Sequence, residues 1–236
     1  MRKHILIILA IVIVLAGAVI WWAVQPDVAT LPIAKVEGER PTISAPRDQT
    51  IPTVAVADAV GWKDGATPVA APGLKVVPFA NGLDHPRWLY RLPNGDILVA
   101  ETNSPPRKVA GIADVVMGYL LKKGGAGVAS PNRIRLLRDT DGDGVAELQT
   151  VLIGGLNSPT GMALMGGYLY IADTDALLRV PFTPSETKIT AKPEQVIPLS
   201  GGGNHWARTL LADPAGKYLY VGVGSSTNIA ENGLDA

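Results

Sequence analysis

Hydrophobic positions along the chain fall into two textures. From Ile5 to Val24 (ILIILAIVIVLAGAVIWWAV) twenty consecutive residues carry no charge. A bilayer core of roughly 30 Å needs about 20 apolar residues in helix, so this run is long enough to span it. Trp21 and Trp22 stand where an aromatic belt meets the headgroups, and Met1-Arg2-Lys3-His4 supplies a positive flank. Ala16-Gly17-Ala18 resembles a signal-peptidase site, so a cleaved leader is the competing reading of 1–24. Both readings place residue 25 onward outside the cytoplasm. The uncleaved form is a single-pass inner-membrane protein with a periplasmic C-terminal part. Residues 25–72 are punctuated by Pro26, Pro32, Pro41, Pro46, Pro52, Pro68 and Pro72 and read as a semi-stiff linker.

From Leu74 the pattern changes to short apolar runs between turn signals, the texture of an all-β domain over 73–236. An internal repeat refines it. Gly82-Leu83-Asp84-His85-Pro86 leads to Trp88-Leu89 and then to Asp96–Thr102; Gly155-Leu156-Asn157-Ser158-Pro159 leads to Met162–Leu164 and then to Tyr168–Thr174. A looser third copy runs through Gly203-Asn204-His205-Trp206, Arg208–Leu210 and Lys217–Val223. Two further strand-like stretches follow each of the first two copies: 132–138 and 148–153, then 176–182 and 195–199. Four-stranded units repeating at roughly 40–50 residues predict β-propeller blades. Leu74–Phe79 matches the outer strands and is expected as an orphan outer strand, giving an incomplete propeller of about two and a half blades. Such an arc leaves edges unsealed, so the chain reads as the front part of a longer protein. The long insert 103–131 carries Val109, Ile112, Val115, Val116, Tyr119 and Leu120 at helical spacing, closed by Lys122-Lys123-Gly124. It reads as a lid over one end of the units, or as a helix that pads their side or lies against the membrane.

Composition narrows the partners. Lys+Arg and Asp+Glu are 21 each, so the net charge is zero and nucleic acid is not expected as a partner. Cysteine is absent, which removes disulfides, thiolate metal sites and a thiol nucleophile. Serine-hydrolase elbows, zinc-protease helices and phosphate loops are missing, and Gly201-Gly202-Gly203 opens a strand where a dinucleotide site needs a helix.

In a propeller blade the turns into each first strand gather at the channel mouth. His85, Asn157-Ser158 and His205 all fall there. His85, before Pro86, reads as a turn residue. His205 can accept a proton from a substrate hydroxyl, and Arg208 on the same strand can hold an anion; a structural His-Trp cap is the alternative. On the opposite face lies Asp139-Thr140-Asp141-Gly142-Asp143-Gly144-Val145-Ala146-Glu147. Asp139, Asp141, Asp143, the Val145 carbonyl and Glu147 form a hard-oxygen set suited to a structural Ca²⁺, although Thr150 stands where an EF-hand has Glu. An ordinary acidic hairpin turn explains the same residues.

The stretches 82–102, 132–147, 155–164 and 204–228 together resemble the glucose/sorbosone dehydrogenase family. The resemblance implies a six-bladed propeller that uses pyrroloquinoline quinone (PQQ) with calcium to oxidise a sugar or other alcohol. It implies His205 as general base, with Arg208 and Asn157 facing the quinone and a small-molecule sugar or alcohol as substrate. His205 precedes Arg208 by three positions, one fewer than in the family. The family's remaining quinone and calcium contacts come from later blades, so this chain by itself is not expected to hold the cofactor. Two rivals stand beside this reading: a non-catalytic membrane-anchored NHL-type binding propeller, and a calcium-dependent lactonase-like propeller. The latter needs a carboxylate on a first strand, where Trp88, Met162 and Arg208 stand instead.

Overall fold

The computed structural model describes residues 2–24, 31–42, 56–63, 65–106, 108–200 and 205–224. The chain divides into two units, Met1–Asp58 and Ala59–Ala236. In the first, α1 (Arg2–Ala23) is followed by the single-turn helix α2 (Ile33–Val36). Lys3–Ala23 has a mean hydropathy of 3.0 and is long and apolar enough to cross a membrane, as a span or as a signal sequence. Prolines 26, 46 and 52 of the expected linker lie outside the described residues, as do Gly203-Asn204 and residues 225–228 of the third repeat.

The second unit is built from antiparallel sheets. Strands β1 (Pro86–Arg91), β2 (Ile97–Glu101), β3 (Arg133–Arg138) and β4 (Leu148–Gly154) form one four-stranded sheet in chain order. Strands β5 (Gly161–Met165), β6 (Tyr168–Ala172), β7 (Ala176–Pro181) and β8 (Glu194–Pro198) form a second. Strands β9 (Arg208–Ala212) and β10 (Leu219–Val223) form a two-stranded third. Turn chemistry sets the order. Gly95, Gly167 and Gly216 close the first hairpin of each sheet with φ of 96°, 80° and 68°, a region only glycine occupies without strain. The insert carries α3 (Ile112–Lys123), opened by the Asp114 carboxylate accepting the Gly111 N–H at 3.1 Å.

The orphan outer strand expected over Leu74–Phe79 does not form. These residues run as irregular chain, and the Phe79 carbonyl accepts a single backbone bond, from Ala146 N–H at 2.8 Å. A strand needs a ladder partner, and β4, at the outer edge of its own sheet, pairs only inward with β3. Phe79, Ala80 and Leu83 instead pack against Val99 and Leu137 of the first sheet and Ala146 of the loop before β4.

The main core fills the space between the first two sheets. Leu98, Ala100, Ile134, Leu136 and Leu152 from one meet Met162, Leu169, Ile171 and Val180 from the other. Alternation along β2 and β3 places these side chains on one face, and burying each of the Leu, Ile, Val and Met side chains contributes roughly 2 kcal/mol. The first strands of the three sheets lie side by side. Leu164 N–H donates to the Tyr90 hydroxyl at 2.9 Å, joining β5 to β1. A Cβ at Gly161 would come within 2.8 Å of Arg208 O and Leu210 N, so only glycine lets β5 approach β9 so closely.

Candidate functional site: a cleft at the start of three strands

Because β1, β5 and β9 are adjacent, the residues that open them converge. Pro86, Arg87 and Trp88, then Thr160, then His205, Trp206 and Ala207 line one cleft of about 600 Å³. The ladder registers put Pro86 opposite Glu101 and Gly161 opposite Ala172, so the cleft sits at the end of the sheets where second strands finish and third strands begin. The base of the insert joins the same end.

His205 is half-buried on the segment leading into β9. That segment is held from two sides. A Cβ at Gly224 would lie 2.6 Å from the His205 Cβ and 3.0 Å from its carbonyl oxygen, so the chain beyond β10 closes on His205 only because residue 224 is glycine. From below, Arg208, only 1% exposed, donates from Nη1 to the carbonyls of His205 (2.6 Å) and Ala207 (3.1 Å) and from Nη2 to the Ser200 carbonyl. Its backbone is locked to Thr160, whose hydroxyl donates to Arg208 O at 2.7 Å and accepts from Arg208 N–H at 2.8 Å. Burial lowers the Arg208 pKa from its usual value, yet guanidinium stays charged at any physiological pH. As arranged, Arg208 shapes the loop that carries His205, and its Nε is buried without a partner.

Among the described residues, Arg87 is the arginine on the cleft lining, and no sequence motif singles it out. Nε donates to Thr102 O at 3.2 Å and Nη2 to Asn103 Oδ1 at 3.0 Å. Asn103 in turn ties the insert shut, donating from Nδ2 to the carbonyls of Ala126 (2.8 Å) and Val128 (2.7 Å). The guanidinium lies 5.7 Å from the centre of the Trp206 ring, a cation–π arrangement.

The turns leading into β1 and β5 share one device. His85 and Ser158 both hold left-handed φ, 48° and 49°, immediately before proline. A buried carboxylate caps each turn: Glu101 accepts from Asp84 N–H at 2.7 Å, and Asp173 accepts from Asn157 N–H at 2.8 Å. The Asn157 carbonyl accepts from Thr174 N–H, so the residue expected to face a quinone is bound here through its main chain, with its side chain exposed. The two carboxylates differ in charge balance. Glu101 is paired with Arg133 across the β2–β3 ladder. By register, Ala176 takes the place of Arg133 opposite Asp173, whose Oδ1 is buried without a partner. Burial therefore pushes the Asp173 carboxyl up to about 7.

The acidic loop lies at the other end of the first sheet, between β3 and β4. One carboxylate oxygen each from Asp139, Asp141, Asp143 and Glu147 falls within 4.8 Å of the others. These residues also satisfy the loop's own amides: Asp139 accepts from Gly142 N–H (2.7 Å) and Gly144 N–H (2.9 Å), and Glu147 from Thr140 N–H (2.7 Å). The Gly144 and Gly142 amides hold the Asp139 carboxyl below its usual range. Val145 contributes its N–H to Asp143 Oδ1 at 2.8 Å. The arrangement can accept a hard cation and can also stand as a self-satisfied turn.

No protein-family model matches the chain, and no curated protein matches it. Among solved structures it is similar in fold to the holo form of the PQQ domain of pyranose dehydrogenase from Coprinopsis cinerea, at 17% identity and a TM-score of 0.52, covering 70% of this chain and 34% of that one. It is also similar to the calcium structure of a Trichoderma reesei carbohydrate-active enzyme of family AA12, at 20% identity and a TM-score of 0.50, covering 68% of this chain and 34% of that one. The chain thus spans about a third of the length of each. At these identities the likeness is one of fold.

Proposed function

We propose that this chain is the N-terminal part of an extracytoplasmic, membrane-tethered β-propeller that oxidises a sugar or other alcohol with PQQ. The two four-stranded sheets and the third pair are read as successive blades around an axis. The division 1–24, 25–72 and 73–236 is read as anchor, linker and propeller. The observation that carries the proposal is the convergence of three first-strand starts on one cleft holding His205, in a chain whose fold resembles that of a PQQ domain.

A flat quinone bearing acids needs a cation and a stacking surface. The cleft offers the Arg87 guanidinium and the indoles of Trp88 and Trp206, so its chemistry suits such a group. Arg208 suits it less, because its Nη1 and Nη2 donate to main-chain carbonyls. When bound, the quinone would accept a hydride from the carbinol carbon of the substrate. His205 takes the proton of the substrate hydroxyl, a role that a ring nitrogen of imidazole can fill as a general base. Arg208, Thr160 and Gly224 set the position of His205. Loop 139–147 is read as a structural Ca²⁺ site, remote from the cleft.

The test is dye reduction by the native polypeptide carrying this chain, purified in detergent and supplied with PQQ and Ca²⁺ against a panel of pyranoses and alcohols. Reduction that requires both PQQ and a sugar supports the proposal. Its absence across the panel, with PQQ bound, favours a non-catalytic binding propeller.

A further inference from the structure

Arg133, Arg135, Arg138 and Arg179 in the second unit each stand within ion-pair distance of a carboxylate. Arg133 pairs with Glu101, Arg138 with Asp96 at 2.7 Å and Arg179 with Glu194 at 2.9 Å. Arg87 differs. It is fixed by two neutral oxygens, Thr102 O and Asn103 Oδ1, and among the described residues it forms no ion pair with a carboxylate. Among the described residues, the cleft it lines contains no acidic residue. A guanidinium held rigid by neutral acceptors keeps its full charge, and its ordering cost is met within the fold. Its contact with the Trp206 ring places that charge beside an aromatic surface, and Trp88 adds a second indole.

We propose that Arg87 is an anion-recognition residue of this cleft, selecting a ring compound that carries a carboxylate, with the ring against the lining indoles. The inference rests on reading the cleft as a sugar-oxidation site. The same chemistry has two sources, a sugar acid of the hexuronate type or the carboxylated quinone itself. Asn103 makes the subsite depend on the insert, since it joins Arg87 to the segment's closing carbonyls.

Isothermal titration calorimetry of the native polypeptide carrying this chain, in detergent, tests this with glucuronate, glucose and PQQ in separate titrations. At least one of the two acids should bind about tenfold more tightly than neutral glucose, the gain expected from one charge-assisted hydrogen bond. Arg87→Gln should bring the acids down to the level of glucose and leave glucose unchanged. Preference for glucuronate alone assigns the subsite to substrate; preference for PQQ alone assigns it to cofactor. Equal binding of acids and glucose overturns the proposal, as does a preference that survives in Arg87→Gln. Should that variant fail to fold, the wild type still decides. Raising salt from about 0.02 M to about 0.3 M must erode a charge-based preference, and an unchanged one overturns it. Dye reduction is not read here, so loss of the oxidoreductase reading and loss of this one remain distinguishable.

Discussion

Replacing Asp173 with Asn should make the protein more stable at alkaline pH, an unusual outcome for a buried residue that caps a turn. Asp173 is 4% exposed, accepts one hydrogen bond from Asn157 N–H, and leaves Oδ1 without a partner. Burial raises its pKa from the ordinary 3.8 to about 7. A raised folded-state pKa means that the folded chain binds the extra proton between those values. Stability is therefore fully present below about pH 4 and falls as pH rises to about 7. A gap of about 3 units at roughly 1.4 kcal/mol each makes the full loss about 4 kcal/mol, of which about 3 kcal/mol falls between pH 5 and 8. Asn keeps an oxygen for the Asn157 amide and removes the ionisation. Urea unfolding of both proteins, followed by circular dichroism at pH 5, 6, 7 and 8, should show the variant gaining on the wild type as pH rises. Parallel stability curves would refute the reasoning, because they would mean that Asp173 titrates alike in the folded and unfolded chains.

Glu101→Gln should lose about 2 kcal/mol, since it leaves Arg133 without its ion-pair partner; urea unfolding at pH 7 checks it. Gly224→Ala should push the His205 segment away and lower dye reduction more than it lowers Tm, because the new Cβ would meet His205 at 2.6 Å. If loop 139–147 holds Ca²⁺, millimolar calcium should raise Tm by a few degrees, and Asp139→Asn with Asp143→Asn should abolish the rise, as read by differential scanning calorimetry.

Much of the β architecture could be read from the sequence because hairpin glycines and alternating apolar residues are local signals. The stretches 132–138, 148–153, 176–182 and 195–199 became β3, β4, β7 and β8 within a residue or two at each end. Leu74–Phe79 carries the same local signal and forms no strand, since pairing is decided by a neighbour the local pattern cannot supply. The cleft was only partly legible. His205 stood out by residue type, and the repeat located it at the start of a strand. Arg208 was legible as a cation but not as one turned toward main-chain carbonyls, because orientation depends on packing against Thr160 forty-eight positions earlier. Arg87 carries no local signal, and Trp206 reads from sequence only as a cap beside His205, because their contact joins segments far apart in the chain. Asp173 was readable in hindsight. Aligning the repeats sets it against Glu101, and Ala176 against Arg133, which exposes the missing cation.

The role of His205 is most directly tested by the turnover of His205→Gln in the PQQ-loaded native polypeptide. On the proposed general-base role, loss of the imidazole should lower kcat by about a hundredfold or more, with Tm within a degree or two of wild type. Turnover equal to wild type, with the same pH profile, would contradict the account.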